Sequence, residues 1–61
     1  MRLAKLWLSD GTQKTITNVW KVSYSYIDGI LFIITKRRGV LGDVYKHFSY
    51  FMSEIVAIDL L

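Results

Sequence analysis

The sequence contains no cysteine. Neither a disulfide framework nor a thiolate metal site is open to it, so a fold this small is stabilised by packing or by association. It has no proline and a single histidine, His47. A lone imidazole offers little catalysis, because a general base needs a partner nucleophile or acid in an enclosed site. Ser49 would share a strand face with His47, but no carboxylate is placed to orient the ring. Asp10, Asp28, Asp43, Glu54 and Asp59 match no metal-loop spacing, and the glycines fall in turns rather than in a phosphate-cradling loop. The chain is therefore read as non-enzymatic, with no catalytic residue, cofactor or metal. No run approaches the ~20 apolar residues of a membrane span. The opening Met1-Arg2-Leu3-Ala4-Lys5-Leu6-Trp7-Leu8 is broken by Lys5 and ends at Ser9-Asp10-Gly11 without a small-residue cleavage site. The default compartment is the cytoplasm, with no membrane partner.

What the chain has in abundance is apolar and aromatic residues. Its 61 residues allow one domain, residues 1–61. A chain of this length hides only about 60% of its unfolded surface when it folds alone. Yet 52% of the residues are hydrophobic and 15% aromatic, more than a monomeric core of that size easily covers. The excess points to a homo-oligomer or an obligate partner.

The stretch Trp20 to Lys36 organises the rest. Two runs rich in Val, Ile, Tyr and Phe flank Asp28-Gly29, and Asp-Gly suits the two positive-φ positions of a type I′ hairpin turn. With those two residues as the loop, Ile27 pairs with Ile30, Tyr26 with Leu31, Ser25 with Phe32, Tyr24 with Ile33, and Val22 with Thr35. One face then carries Val22, Tyr24, Tyr26, Leu31 and Ile33. The other carries Ser23, Ser25, Ile27, Ile30, Phe32 and Ile34. Strand Ile30–Thr35 is apolar on both faces, whereas a half-exposed strand alternates. Either the strand sits in the centre of a closed or folded-over sheet, or one of its faces meets a partner. Tyr24, Tyr26, Ile30, Phe32 and Ile34 are the interface candidates, and a homodimer is the simplest closed assembly.

Around the hairpin, Leu3–Leu8 reads as a strand with Ala4, Leu6 and Leu8 on one face. Ser9–Thr12 is a turn, and Gln13–Thr17 a short edge strand whose single large apolar residue is Ile16. Asn18 marks a bend or bulge. Lys36-Arg37-Arg38-Gly39 begins a basic loop, with Val40 and Leu41 anchoring it to the body. Val44–Phe51 fits a strand, or a helix, since apolar residues also fall at Val44, Tyr45, Phe48, Phe51 and Met52; its aromatic content favours the strand. After a turn at Met52–Glu54, Ile55–Leu61 is a last strand with Val56, Ile58 and Leu60 inward. The fold class is all-β, an antiparallel meander of about five strands forming a curled sheet or small barrel.

The segments Leu6-Trp7-Leu8-Ser9-Asp10-Gly11-Thr12, Thr17-Asn18-Val19, Ile27-Asp28-Gly29-Ile30-Leu31-Phe32-Ile33 and Phe51-Met52-Ser53-Glu54-Ile55-Val56-Ala57-Ile58 resemble those of short all-β proteins of phage and prophage genomes of Gram-positive bacteria. That resemblance implies an accessory or inhibitor acting by binding, for example to a host protein, and assigns no functional residue. The alternative is a small nucleic-acid binder. It would use Lys21, Lys36, Arg37 and Arg38 for phosphate and exposed aromatics such as Trp7, Trp20 and Tyr45 for stacking. A net charge of +3 is mild for that role.

Overall fold

The computed structural model describes residues 2–61. It is all-β, with strands β1 (Leu3–Leu8), β2 (Gln13–Thr17), β3 (Val19–Ser25), β4 (Ile30–Gly39), β5 (Gly42–Phe51) and β6 (Ile55–Leu60). A single 3-10 turn, Met52–Glu54, precedes β6. The strands form two antiparallel three-stranded sheets, ordered β2-β1-β6 and β3-β4-β5. The expected unbroken meander and closed barrel do not form. The chain leaves the first sheet at Asn18, whose φ of 59° is a left-handed conformation that Asn tolerates. Lys36 donates its N–H to the Asn18 carbonyl at 3.0 Å, which ties the corner to β4. It returns through the 3-10 turn, held by Met52 N–H to Gly29 O and Ser9 N–H to Glu54 O, each 2.8 Å. β6 then lies against β1 rather than beside β5.

The two sheets share one small core. Ala4, Leu6 and Ile16 come from the first sheet; Val19, Leu31 and Ile33 come from the second. Leu8, Val22, Phe48, Tyr50 and Ile55 pack around them. Strand alternation selects these residues, because only one face of each sheet turns inward. The final strand departs from its expected alternation. Trp7 pairs with Ala57 and Leu8 with Ile55, so Val56 is the extra residue of a bulge and is 70% exposed. Ile58 and Leu60 do lie on the Leu6 and Ala4 side, yet at the sheet edge they remain exposed.

Each hairpin turn has its own chemistry. Leu8 N–H to Thr12 O and Gly11 N–H to Leu8 O close a three-residue loop with Gly11 at φ 89°. The Thr12 hydroxyl and its backbone N–H both donate to Asp10 Oδ1, at 2.6 and 2.9 Å. Those two bonds, the hydroxyl's first, hold the Asp10 carboxyl below its ordinary pKa.

The central turn differs from the type I′ expectation. Ser25 pairs with Ile30, so the loop is Tyr26–Gly29 and not Asp28-Gly29 alone. Gly29 has φ 65°, but Asp28 does not have positive φ. Asp28 is held instead by Ser25, whose hydroxyl donates to Asp28 Oδ2 at 3.1 Å. Gly29 N–H closes the loop on Ser25 O at 2.8 Å. Tyr24 therefore faces Leu31, Val22 faces Ile33, and Lys21 faces Ile34 rather than Lys36. The displacement is two residues, one full pleat, so each paired side chain keeps its expected face. Ile27 is expelled into the loop and is 97% exposed.

Gly29→Val is expected to lower the thermal midpoint clearly, because a β-branched residue is strained at positive φ. No neighbouring atom blocks the new side chain, so the loss comes from the backbone alone. An unchanged melting curve would contradict the left-handed Gly29.

The segment read as a basic loop is strand. β4 runs unbroken to Gly39 and β5 begins at Gly42, with Lys36 opposite Tyr45, Arg37 opposite Val44 and Arg38 opposite Asp43. The loop is only Val40-Leu41, and both residues are fully exposed rather than anchored. The Gly39–Gly42 pair explains the tight closure. A Cβ on Gly39 would sit 2.8 Å from Gly42 O and 2.9 Å from Val44 Cγ2.

Candidate binding surfaces

The β3-β4-β5 sheet has an inner and an outer face. Leu31 and Ile33 point inward and are buried, with Ile33 at 0% exposure; Phe32 between them points outward at 37%. Register then assigns every neighbour. Ser25 and Phe51 flank Ile30, Ser23 and Ser49 flank Phe32, and Lys21 and His47 flank Ile34. Cross-strand partners share a face, so these residues make one outer surface.

That surface has a defined relief. Ile30, Phe32 and Ile34 form a ridge along β4. Ser23 and Ser49 leave shallow furrows on either side of Phe32. Phe51 closes one end. At the other, a bulge sets Trp20 on the outer side, and its ring lies 5.2 Å from that of Tyr45. Lys36 Nζ lies 5.7 Å from the Trp20 ring centre and 6.0 Å from that of Tyr45. It also approaches Asp43 Oδ2 at 3.6 Å, an exposed ion pair of small energetic weight.

The candidate interface set divides. Ile30, Phe32 and Ile34 lie together on the outer face. Tyr24 is on the opposite face at the β3 edge, and its ring meets that of Tyr26 edge-on at 4.7 Å. Tyr26 belongs to the exposed turn. Trp20, Tyr45 and Phe51 join the ridge, although the sequence had marked the first two only as stacking aromatics. Recognising Val40-Leu41 as a two-residue hairpin loop between glycines would have placed Tyr45 and Phe51 beside β4.

The candidate phosphate-binding set is dispersed. Lys21, Lys36 and Arg38 are on the outer face, with Lys36 engaged by two rings and Asp43. Arg37 lies on the other face, as strand alternation requires. There it lines a groove of about 470 Å3 together with Lys14 and Lys46. The free side of β2 forms one wall of this groove, from Lys14 to Asn18. Val44, Phe48 and Tyr50 of β5 complete it.

His47 lies opposite Ile34 and is exposed. Among the described residues, no helix is long and apolar enough to cross a membrane. Comparison with protein-family models, curated proteins and solved structures finds no match.

Proposed function

We propose that this chain is a non-enzymatic protein-binding module that pairs with a second copy of itself through the outer face of β3-β4-β5. The observation that carries this reading is the contiguous outer ridge of Ile30, Phe32 and Ile34, continued by Phe51, Trp20 and Tyr45. The monomer's dimensions support it. Its accessible surface is 4692 Å2, whereas a compact monomer of 7.1 kDa exposes about 4,100 Å2. The radius of gyration is 12.3 Å against about 10.5 Å for a compact domain of this length.

The ridge and furrows suit a two-fold pairing. One copy's Phe32 ridge can lie in the furrow beside the other's, and the same residues are used twice. Aromatic side chains favour this, because they bury much area while fixing few rotatable bonds. Two copies joined in this way leave the β2-β1-β6 sheet of each free for a further protein. The scatter of Lys21, Lys36, Arg37 and Arg38 over two faces favours protein binding over the nucleic-acid alternative.

A folded chain that pairs with a second copy has a melting temperature that rises with protein concentration, because association stabilises the folded state alone. Melting curves recorded over a hundredfold range of concentration are expected to shift upward with concentration. A midpoint that stays constant would contradict the pairing.

A further inference from the structure

The groove beside β2 goes beyond this reading, because it lies on the other side of β3-β4-β5 from the ridge. β2 is an edge strand with β1 on one side only. Leu8 N–H bonds Thr12 O, and in the observed register the bonded pairs continue as Leu6 with Lys14 and Ala4 with Ile16. The backbone groups of Gln13, Thr15 and Thr17 therefore face away from β1. Thr15 and Thr17 both line the groove. An unpaired strand edge is a template for another extended chain.

The electrostatics of the groove select what that chain carries. Lys14, Arg37 and Lys46 come from three different strands, and no carboxylate is among the lining residues. Among the described residues, the ion pair within 4 Å is Lys36–Asp43, outside the groove. Lys14 acts weakly on Asp10, whose carboxylate Thr12 already holds. The three cations thus converge on open space next to unpaired backbone. Val44, Phe48 and Tyr50 give that space an apolar floor.

We infer that the groove binds an extended acidic peptide segment of a partner protein, added as a strand to the free edge of β2. Backbone hydrogen bonds to Thr15 and Thr17 hold the segment. Its alternate side chains turn into the groove, where carboxylates meet Lys14, Arg37 and Lys46. β2 spans five residues, which sets the length of the paired segment. Unpaired backbone distinguishes this occupant from a nucleic acid, which would use the cations but gain nothing from a strand edge.

The test is an amide-shift titration of the 15N-labelled full chain with a capped peptide, Glu-Thr-Glu-Thr-Glu-Thr. At about 5 mM peptide, enough to occupy most of even a ~1 mM site, shifts are expected at Thr15 and Thr17 and around Arg37 and Lys46. The double variant Arg37→Glu, Lys46→Glu is expected to bind at least about tenfold more weakly, since hydrogen bonds to charged groups are the stronger ones. Of the two peptides N-methylated at alternate residues, the one whose methylated N–H groups face β2 is expected not to bind, because it cannot complete the strand ladder, while the other keeps that edge and is expected to bind. Phe32→Asp protein is expected to bind the peptide as the parent does, which separates this result from that of the self-pairing. No shift at that concentration would overturn the proposal. So would shifts confined to the outer face, equal binding by the N-methylated peptides, or binding of an oligothymidylate in place of the peptide.

Discussion

Ile33→Ala is expected to lower the melting temperature by at least about 8 °C, because removing a buried Ile side chain costs about 2–5 kcal/mol and each kcal/mol moves a domain of this size by about 4–8 °C. Ile33 has no exposed surface and sits where the two sheets meet. Among the described residues the core around it has only five other buried residues, so little can collapse into the void. A domain of this length has a total stability of about 3–9 kcal/mol. The substitution therefore removes a large fraction of what holds the fold, and much of the variant is expected to be unfolded at 37 °C. Circular dichroism melts of parent and variant at equal concentration check this. A shift under about 3 °C, less than 1 kcal/mol at this size, would mean that Ile33 is not at the centre of the core.

The adjacent residue is expected to behave in the opposite way. Phe32→Asp should leave the strand signal and the core intact, because Phe32 is on the outer face between Ser23 and Ser49. Its effect falls on association. Truncating an aromatic anchor at an interface centre typically costs about 2 kcal/mol or more, a weakening of about 30-fold. In a two-fold interface the change enters twice, and it brings two like charges into an apolar contact. The variant is expected to be a folded monomer at concentrations where the parent is a dimer. An unfolded Phe32→Asp would place this residue in the core. A dimer of unchanged stability would remove the ridge from the interface.

The contrast between Phe32 and Ile33 was legible in the sequence as a strand apolar on both faces. Which face was core was not. That depends on how the sheets stack, and the stacking is set by Asn18 and by β6 returning to β1. Asn18 was legible as a bend but not as a change of sheet, and the return of β6 leaves no signal in local periodicity. The Asp-Gly turn was legible as a hairpin, but its four-residue loop, which holds a Ser25–Asp28 hydrogen bond, was not, because dipeptide preference ignores such side-chain contacts. Because the resulting offset is one full pleat, the assignment of faces survived the mistaken register.

The basic segment misled more. Lys36-Arg37-Arg38 between an apolar strand and a glycine has the composition of a loop. β4 and β5 instead extend together to the Gly39–Gly42 pair, and ten paired positions carry the charged residues within the ladder. Alternation then parts Arg37 from Lys36 and Arg38. It also unites Arg37 with Lys46 from the neighbouring strand and with Lys14 from the other sheet. A groove built from three strands has no contiguous sequence signature.

Pairing of two copies through the outer face of β3-β4-β5 fixes the mass of the particle in solution. Light scattering on the eluting parent protein at ~100 μM tests it most directly, since a dimer of micromolar affinity is mostly assembled at that concentration. The expected mass is twice that of the 7.1 kDa chain. A monomer mass at that concentration would contradict it.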